Sequence, residues 1–244
     1  MRVLAIDAGN SRIKWGVHED ESWLVQGWVK TAQTARLASA WSALEPPDAV
    51  IAANVAGPNV ARALAACARR FRRRVRFVKS APSQCGVKSA YADPAQLGPD
   101  RWAALIAARR FHRGPCAVVN AGTTMTVDAL TADGVFLGGM IVPGADLMRA
   151  ALARGTAGLR PRGGRFAFFP ARTADAIESG AINALAGAVE RMLRFMEEAG
   201  QAEPLTLVSG GAAQLVAPQL NGTVEVVDNL VLEGLVLIAL EREQ

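Results

Sequence analysis

Val3-Leu4-Ala5-Ile6-Asp7-Ala8-Gly9-Asn10-Ser11-Arg12-Ile13-Lys14-Trp15 is an apolar run that meets an acid, a glycine and small polar residues, then resumes with alternating apolar positions. That order describes a strand, a tight turn and a returning strand. Glycine tolerates positive φ and lets the backbone approach an anion, while amides and hydroxyls in the turn donate to phosphoryl oxygens. Alone, Asp-Ala-Gly-Asn is also the composition of an ordinary turn. The design returns at Ala117-Val118-Val119-Asn120-Ala121-Gly122-Thr123-Thr124-Met125-Thr126-Val127-Asp128, with Asn120 standing 113 positions after Asp7. Two matched turns a domain length apart suggest two half-sites that close on one nucleotide. Neither is a Walker loop, because GxxxxGK[ST] is absent, nor a dinucleotide fingerprint, because the glycine leads into a strand and not a helix. Asp7, at the strand end, is suited to hold the water shell of a magnesium ion beside phosphate.

With 244 residues, 51% of them apolar, the chain can bury a large core and is long enough for two domains, expected at 1–114 and 115–244. The N-terminal apolar stretch is too short for a secretory signal. The late apolar run at 230–240 is broken by Glu233 and Gly234, so it reads as no membrane span. A cytoplasmic address without a membrane partner is the expectation. Cys67, Cys85 and Cys116 lie far apart without CxxC spacing, and His18 and His112 are the only histidines, which makes a poor zinc site. The cysteines read as reduced, mostly buried thiols. The net charge of +5 is concentrated in Arg69-Arg70-Phe71-Arg72-Arg73-Arg74-Val75-Arg76. Such a run can grip a phosphate backbone. An alanine-rich helix leads into it, however, and arginines at a helix C-terminus are favoured by the macrodipole, so a structural surface is expected and a nucleic-acid partner is not.

Apolar alternation over 2–30 predicts three antiparallel strands, followed by a helix near 35–44, a strand at 49–54, a helix at 60–71 and a strand at 75–78. This is the rhythm of a layered α/β domain. Residues 80–99 hold no period and contain Tyr91, the only tyrosine, so a long irregular loop is expected there. A helix from Asp100 leads to strands at 116–120, 125–130 and 135–141, which repeat the opening meander. A helix at 145–153 precedes a Gly/Arg-rich stretch, 154–165, that reads as mobile or ligand-facing. Thr173 is suited to cap a long helix at 173–198. A strand at 205–209, the Gly210-Gly211 turn, a short helix, a strand at 224–227 and a closing helix at 230–241 complete the chain.

Gly98-Pro99-Asp100-Arg101 places an acid and a base at a helix start immediately after the long loop. A carboxylate there can take the proton of an acceptor hydroxyl as its bond to phosphorus develops, and an arginine can bind a carboxylate in bidentate fashion. An acid at this position can also simply cap the helix.

Taken together, these residues resemble the type III pantothenate kinases of the acetate and sugar kinase, Hsp70 and actin superfamily. The likeness covers essentially the whole chain. It rests on 7–14 as first phosphate motif, on Gly98-Pro99-Asp100-Arg101 as the GxDR signature, and on 120–124 with Asp128 as second phosphate motif. Gly138-Gly139-Met140-Ile141-Val142-Pro143-Gly144 and Thr173-Ala174-Asp175-Ala176-Ile177 extend it. The resemblance implies duplicated ribonuclease H-like (actin-like ATPase) domains, each a mixed sheet flanked by helices. It implies ATP-dependent phosphorylation of pantothenate to 4′-phosphopantothenate, the first step of coenzyme A biosynthesis, with Asp100 as general base. Asp7, Ala8, Gly9, Asn10, Ser11, Arg12 and Lys14, with Gly122, Thr123 and Thr124, match ATP-binding positions, and Gly210-Gly211 falls where the superfamily passes its backbone under the adenosine. Tyr91, Gly98, Pro99, Asp100 and Arg101 would line the pantothenate pocket, completed by Thr173 from the partner chain of a homodimer. Asn120 departs from the pattern, since the family carries there an aspartate that binds potassium or ammonium. An amide oxygen can coordinate a cation but adds no charge, so weaker monovalent-cation binding is expected. Two other readings compete with this one: a kinase of the superfamily with another small acceptor, and a regulatory protein for gene expression that retains the fold.

Overall fold

The computed structural model, which describes residues 1–156, 158–159 and 163–241, opens with an antiparallel meander of β1 (Val3–Ala8), β2 (Arg12–Glu19) and β3 (Ser22–Lys30). All of β1 is buried except Asp7, which is half-buried, and this is why β1 reads as a continuous apolar run. The chain continues through α1 (Arg36–Ala40), β4 (Ala49–Asn54), α2 (Pro58–Ala68) and β5 (Val75–Phe77). β4 runs parallel to β1 and β5 parallel to β4, giving the strand order β3-β2-β1-β4-β5. Leu4, Ile6, Ala8 and Ile13 on one face pack with Val60, Leu64 and Ala68 of α2.

The arginine run is tied into this unit. Arg70 donates to the carbonyls of Trp41 and Ser42, the latter at 2.7 Å, and Arg73 donates to Pro47 at 3.1 Å. Arg76 reaches the carbonyl of Ile238. Trp41, Ser42 and Ile238 lie at or just past helix ends, where carbonyls need donors from outside the helix, and Pro47 lies in the loop before β4.

Residues 80–99 are more ordered than expected. They contain a hairpin of β6 (Ser83–Gln84) and β7 (Val87–Ser89), turning through Cys85 and Gly86 at φ 48° and 79°. Positive φ at both central residues is what a two-residue hairpin turn requires. Strands of two and three residues are too short to show a period. Ser80 Oγ donates to the Leu97 carbonyl at 2.8 Å and closes the base of the segment, after which α3 (Pro99–Phe111) begins.

The second meander consists of β8 (Cys116–Ala121), β9 (Thr124–Leu130) and β10 (Val135–Pro143). Then come α4 (Ala145–Gly155), α5 (Thr173–Glu198), β11 (Leu205–Ser209), α6 (Ala213–Val216) and β12 (Val224–Val226). Strand order is β12-β11-β8-β9-β10, with β11 parallel to β8 and β12 parallel to β11, so order and sense repeat those of the first meander and its parallel strands. Ala181, Leu185 and Val189 recur every fourth residue along one face of α5, and with Met192 and Met196 they pack on Ala117, Val119 and Val127. Thr173 is not the cap. Arg172 holds the capping position, in extended geometry without a side-chain cap bond, and Thr173 is the first helical residue, exposed. Residues 157 and 160–162 of the stretch expected to be mobile or ligand-facing lie outside the described residues.

The final helix, α7 (Leu230–Leu240), belongs with Met1–Phe111, while His112–Asn229 forms the other unit. α7 is apolar all round, as buried helices are. It lies against α3 and β1, and a Cβ on Gly234 would stand 1.8 Å from the Ala103 carbonyl oxygen. Backbone meets backbone there, so no side chain can yield. All three cysteines are unpaired; Cys116 is buried and Cys67 and Cys85 are half-buried, with burial pushing the thiols of Cys85 and Cys116 up to about 12. Gly234→Ala is expected to force α7 off α3 and cost roughly 1–3 kcal/mol, as overpacking does. Thermal denaturation would show this as a lowered Tm, and an unchanged Tm would contradict the close crossing.

Candidate active site

Ala8 and Ile13 form the last pair of the β1–β2 ladder, and the Gly9 amide closes the turn on the Arg12 carbonyl at 3.0 Å. Three further bonds hold the turn from outside. The Val55 amide, just past β4, donates to the Ala8 carbonyl at 3.0 Å, the Thr31 amide, just past β3, to Ser11 at 3.1 Å, and Thr31 Oγ1 to Gly9 at 2.7 Å. The carbonyls of Ala8, Gly9, Ser11 and Arg12 are thus all engaged by the scaffold. A carbonyl oxygen repels an anion, so pinning it elsewhere leaves a turn that presents donors. Asn10, Ser11 and Arg12 are exposed around it.

The second turn is braced from the same topological places. Ala121 pairs with Met125, the Gly122 amide donates to the Thr124 carbonyl at 3.0 Å, the Ala212 amide past β11 to Ala121 at 3.0 Å, and the Gly144 amide past β10 to Thr123 at 2.9 Å. Gly122, Thr123 and Thr124 are exposed. Gly144 stands where Thr31 stands in the first unit, and a Cβ there would lie 2.3 Å from the Gly122 oxygen. The hydroxyl brace of one turn is replaced by close backbone approach at the other. Gly210, at φ 100°, also comes close, since its Cβ would lie 2.3 Å from the Ala121 oxygen and 2.9 Å from Asn120 Oδ1. Gly210-Gly211 and the 120–124 turn, distant in sequence, are brought together, with Asn120 half-buried beneath them.

In the first unit two carboxylates sense each other. Burial, then the neighbouring Asp100 charge, push the Asp7 carboxyl up to about 7, against the pull of Lys14, its ladder partner. Asp7 keeps some solvent access, so its carboxyl group is more enclosed than the residue as a whole. Asp100 is not the helix cap. α3 starts at Pro99, a favoured first residue, and Asp100 lies in its first turn with Oδ1 accepting the Arg101 amide at 2.9 Å. A Cβ on Gly98 would stand 2.6 Å from that Oδ1, so glycine is what lets the carboxylate fold back over the helix start. Val55 approaches the same point, 4.0 Å from the position of that Cβ. Arg101 is buried, at 7% exposure, while Tyr91 is half-buried with its amide on Ser89 Oγ at 3.2 Å. Thr173 sits exposed at the start of α5.

Thr31 and Val55 carry no motif that sequence reading could recognise, and the 138–144 motif that holds Gly144 does not by itself show that its amide braces the second turn. The Arg12 guanidinium over the Trp28 ring, 4.5 Å from its centroid, is likewise a cross-strand fact.

A raised carboxyl pKa has a stability consequence of definite sign. The folded state keeps the Asp7 proton up to about 7 while the unfolded chain releases it near 3.8, the ordinary aspartate value, so stability drains away as pH rises through that window. Asp7→Asn removes the effect. In thermal denaturation without metal or nucleotide, the variant is expected to gain on the wild type between pH 4 and pH 7 (~4 to ~7), by at most about 1.4 kcal/mol per pKa unit. A pH-independent difference would contradict the enclosed carboxyl.

The family model described as type III pantothenate kinase matches residues 3–194. A type III pantothenate kinase of Nitrosospira multiformis is 46% identical over 242 residues, covering 99% of this chain and 92% of the relative. Among solved structures, a candidate Baf family transcriptional activator from Campylobacter jejuni superposes with TM-score 0.61 at 20% identity, covering 96% of each chain. A candidate 2-dehydro-3-deoxygalactonokinase from Sinorhizobium meliloti superposes with TM-score 0.60 at 18% identity, covering 97% of this chain and 98% of its own. At these identities the structures speak to fold alone, and the fold is that of the actin-like ATPases and sugar kinases.

Proposed function

Given that the chain belongs to the type III pantothenate kinase family and so phosphorylates pantothenate with ATP at the start of coenzyme A biosynthesis, we propose that Asp100 orients and deprotonates the acceptor hydroxyl. The observation that carries this is the Asp100 carboxylate, folded back over Gly98 beside Asp7, with one oxygen fixed by the Arg101 amide. The second carboxylate oxygen takes the proton as the primary hydroxyl of pantothenate attacks the γ-phosphorus in line. Proton transfer from a positioned hydroxyl and alignment of the attacking oxygen are what a loose phosphoryl-transfer transition state asks of a protein. Tyr91, Gly98, Pro99 and Arg101 line the acceptor pocket, and Thr173 reaches it from the second chain of a homodimer.

The donors of 10–12 and Lys14, and those of Thr123 and Thr124, bind the triphosphate of ATP, with Gly9 and Gly122 letting the backbone approach it and Gly210-Gly211 under the adenosine. An enclosed carboxyl pushed up by burial and by the charge of a neighbouring carboxylate fits a cation, and Asp7 would hold magnesium through water. Magnesium when bound supplies charge neutralisation on the phosphate oxygens. Asn120 offers an amide oxygen to potassium or ammonium without a charge, so binding there is weak. No helix of the described residues is long and apolar enough to cross a membrane. A regulatory role through DNA draws no support from the arginine run, because Arg70, Arg73 and Arg76 are committed to carbonyls.

Coupled measurement of ADP release is expected to show turnover that depends on pantothenate. Asp100→Asn should lower kcat by about 10² to 10⁴, with the KM for pantothenate little changed. Near-normal kcat in that variant would remove Asp100 from the chemistry.

A further inference from the structure

Trp28 is 53% exposed on β3. A single exposed aromatic is ordinary, but two facts set this one apart. It pairs with Lys14 across the β2–β3 ladder, and Lys14 pairs with Asp7 across the β1–β2 ladder, so Asp7, Lys14 and Trp28 form one cross-strand row on one face of the sheet. The Arg12 guanidinium then lies over the indole ring, 4.5 Å from its centroid, reaching it from the next row, where Arg12 pairs with Lys30.

Arg12 ends the first turn, and its carbonyl accepts the amide of Gly9. Its backbone is therefore fixed, but an exposed arginine side chain retains many rotamers, and ordering it on ligand binding costs affinity. A cation held over an aromatic face is already confined. Its N–H donors lie in the guanidinium plane, so the edges remain able to take a phosphoryl oxygen while the face is occupied. We propose that Trp28 is a positioning residue of the nucleotide site, holding the Arg12 guanidinium beside the first turn before ATP arrives. The indole acts through Arg12 and does not itself contact the nucleotide. This inference rests on the assignment of 7–14 to ATP and deepens it.

The test is a double-mutant cycle read as KM for magnesium-ATP and as affinity for a non-hydrolysable ATP analogue. Trp28→Leu is expected to weaken both by roughly two- to five-fold, the range of an exposed cation–π contact. The KM for pantothenate and kcat should stay at wild-type values, and Trp28→Phe, which keeps an aromatic face, should recover most of the loss. In an Arg12→Gln background, Trp28→Leu should change nothing further. Unaltered nucleotide affinity in Trp28→Leu, or an equal loss with and without Arg12, would overturn the proposal. Should Arg12→Gln itself leave nucleotide affinity intact, the ATP assignment of Arg12 falls too, which separates the two failures.

Discussion

One backbone hydrogen bond recurs at the head of both sheets, and the site depends on it. An amide from the segment just past the parallel neighbour donates to the alanine carbonyl that ends the first strand, Val55 to Ala8 and Ala212 to Ala121, each at 3.0 Å. It can form because the parallel strands end within one residue of each other, Asn54 opposite Ala8 and Ser209 opposite Asn120, the residue before Ala121. With that carbonyl held, and the next ones held by Thr31 and Gly144, each turn meets solvent with hydroxyls and amide-bearing backbone in place of acceptors. Electrostatics then favours an anion, and no net charge has been needed to achieve it.

Charge enters as an asymmetry between otherwise matched turns. Asp7 and Asn120 occupy the same place on equivalent strands, one before Ala8-Gly9 and the other before Ala121-Gly122. The acid stands in the unit that also carries Asp100, and burial, with the Asp100 charge second, raises the cost of ionising Asp7. The amide stands under the Gly210 turn, where Oδ1 is close to a backbone that tolerates no side chain. One unit thus concentrates negative charge at Asp7 and Asp100, and the other brings glycine backbone close to Asn120.

Both turns were legible in the sequence because their signal is local: apolar strand, small residues, Ala-Gly, strand. The duplicated meander followed from the same repeat, and the resemblance supplied the actin-like fold that the strand order then displayed. What stayed hidden acts across strands or through backbone. Thr31 and Val55 look like any residue after a strand, and Trp28 gains meaning only once β3 lies beside β2. The hairpin at 83–89 looks like loop in the sequence because its strands are too short to show an alternation. Thr173 has the residue type of a cap, yet Arg172 holds that position with backbone geometry alone. α7 shows no apolar stripe to say what it packs against, and only Gly234, pressed on Ala103, marks the contact.

Hydrogen exchange with and without a non-hydrolysable ATP analogue and magnesium tests the account where it is most exposed. If both sets of donors bind the same nucleotide, as proposed, exchange slows at amides of the first turn and of the second, together with those following Gly210. Protection at one turn only, or at neither, would contradict the claim that the repeated turns form the ATP site.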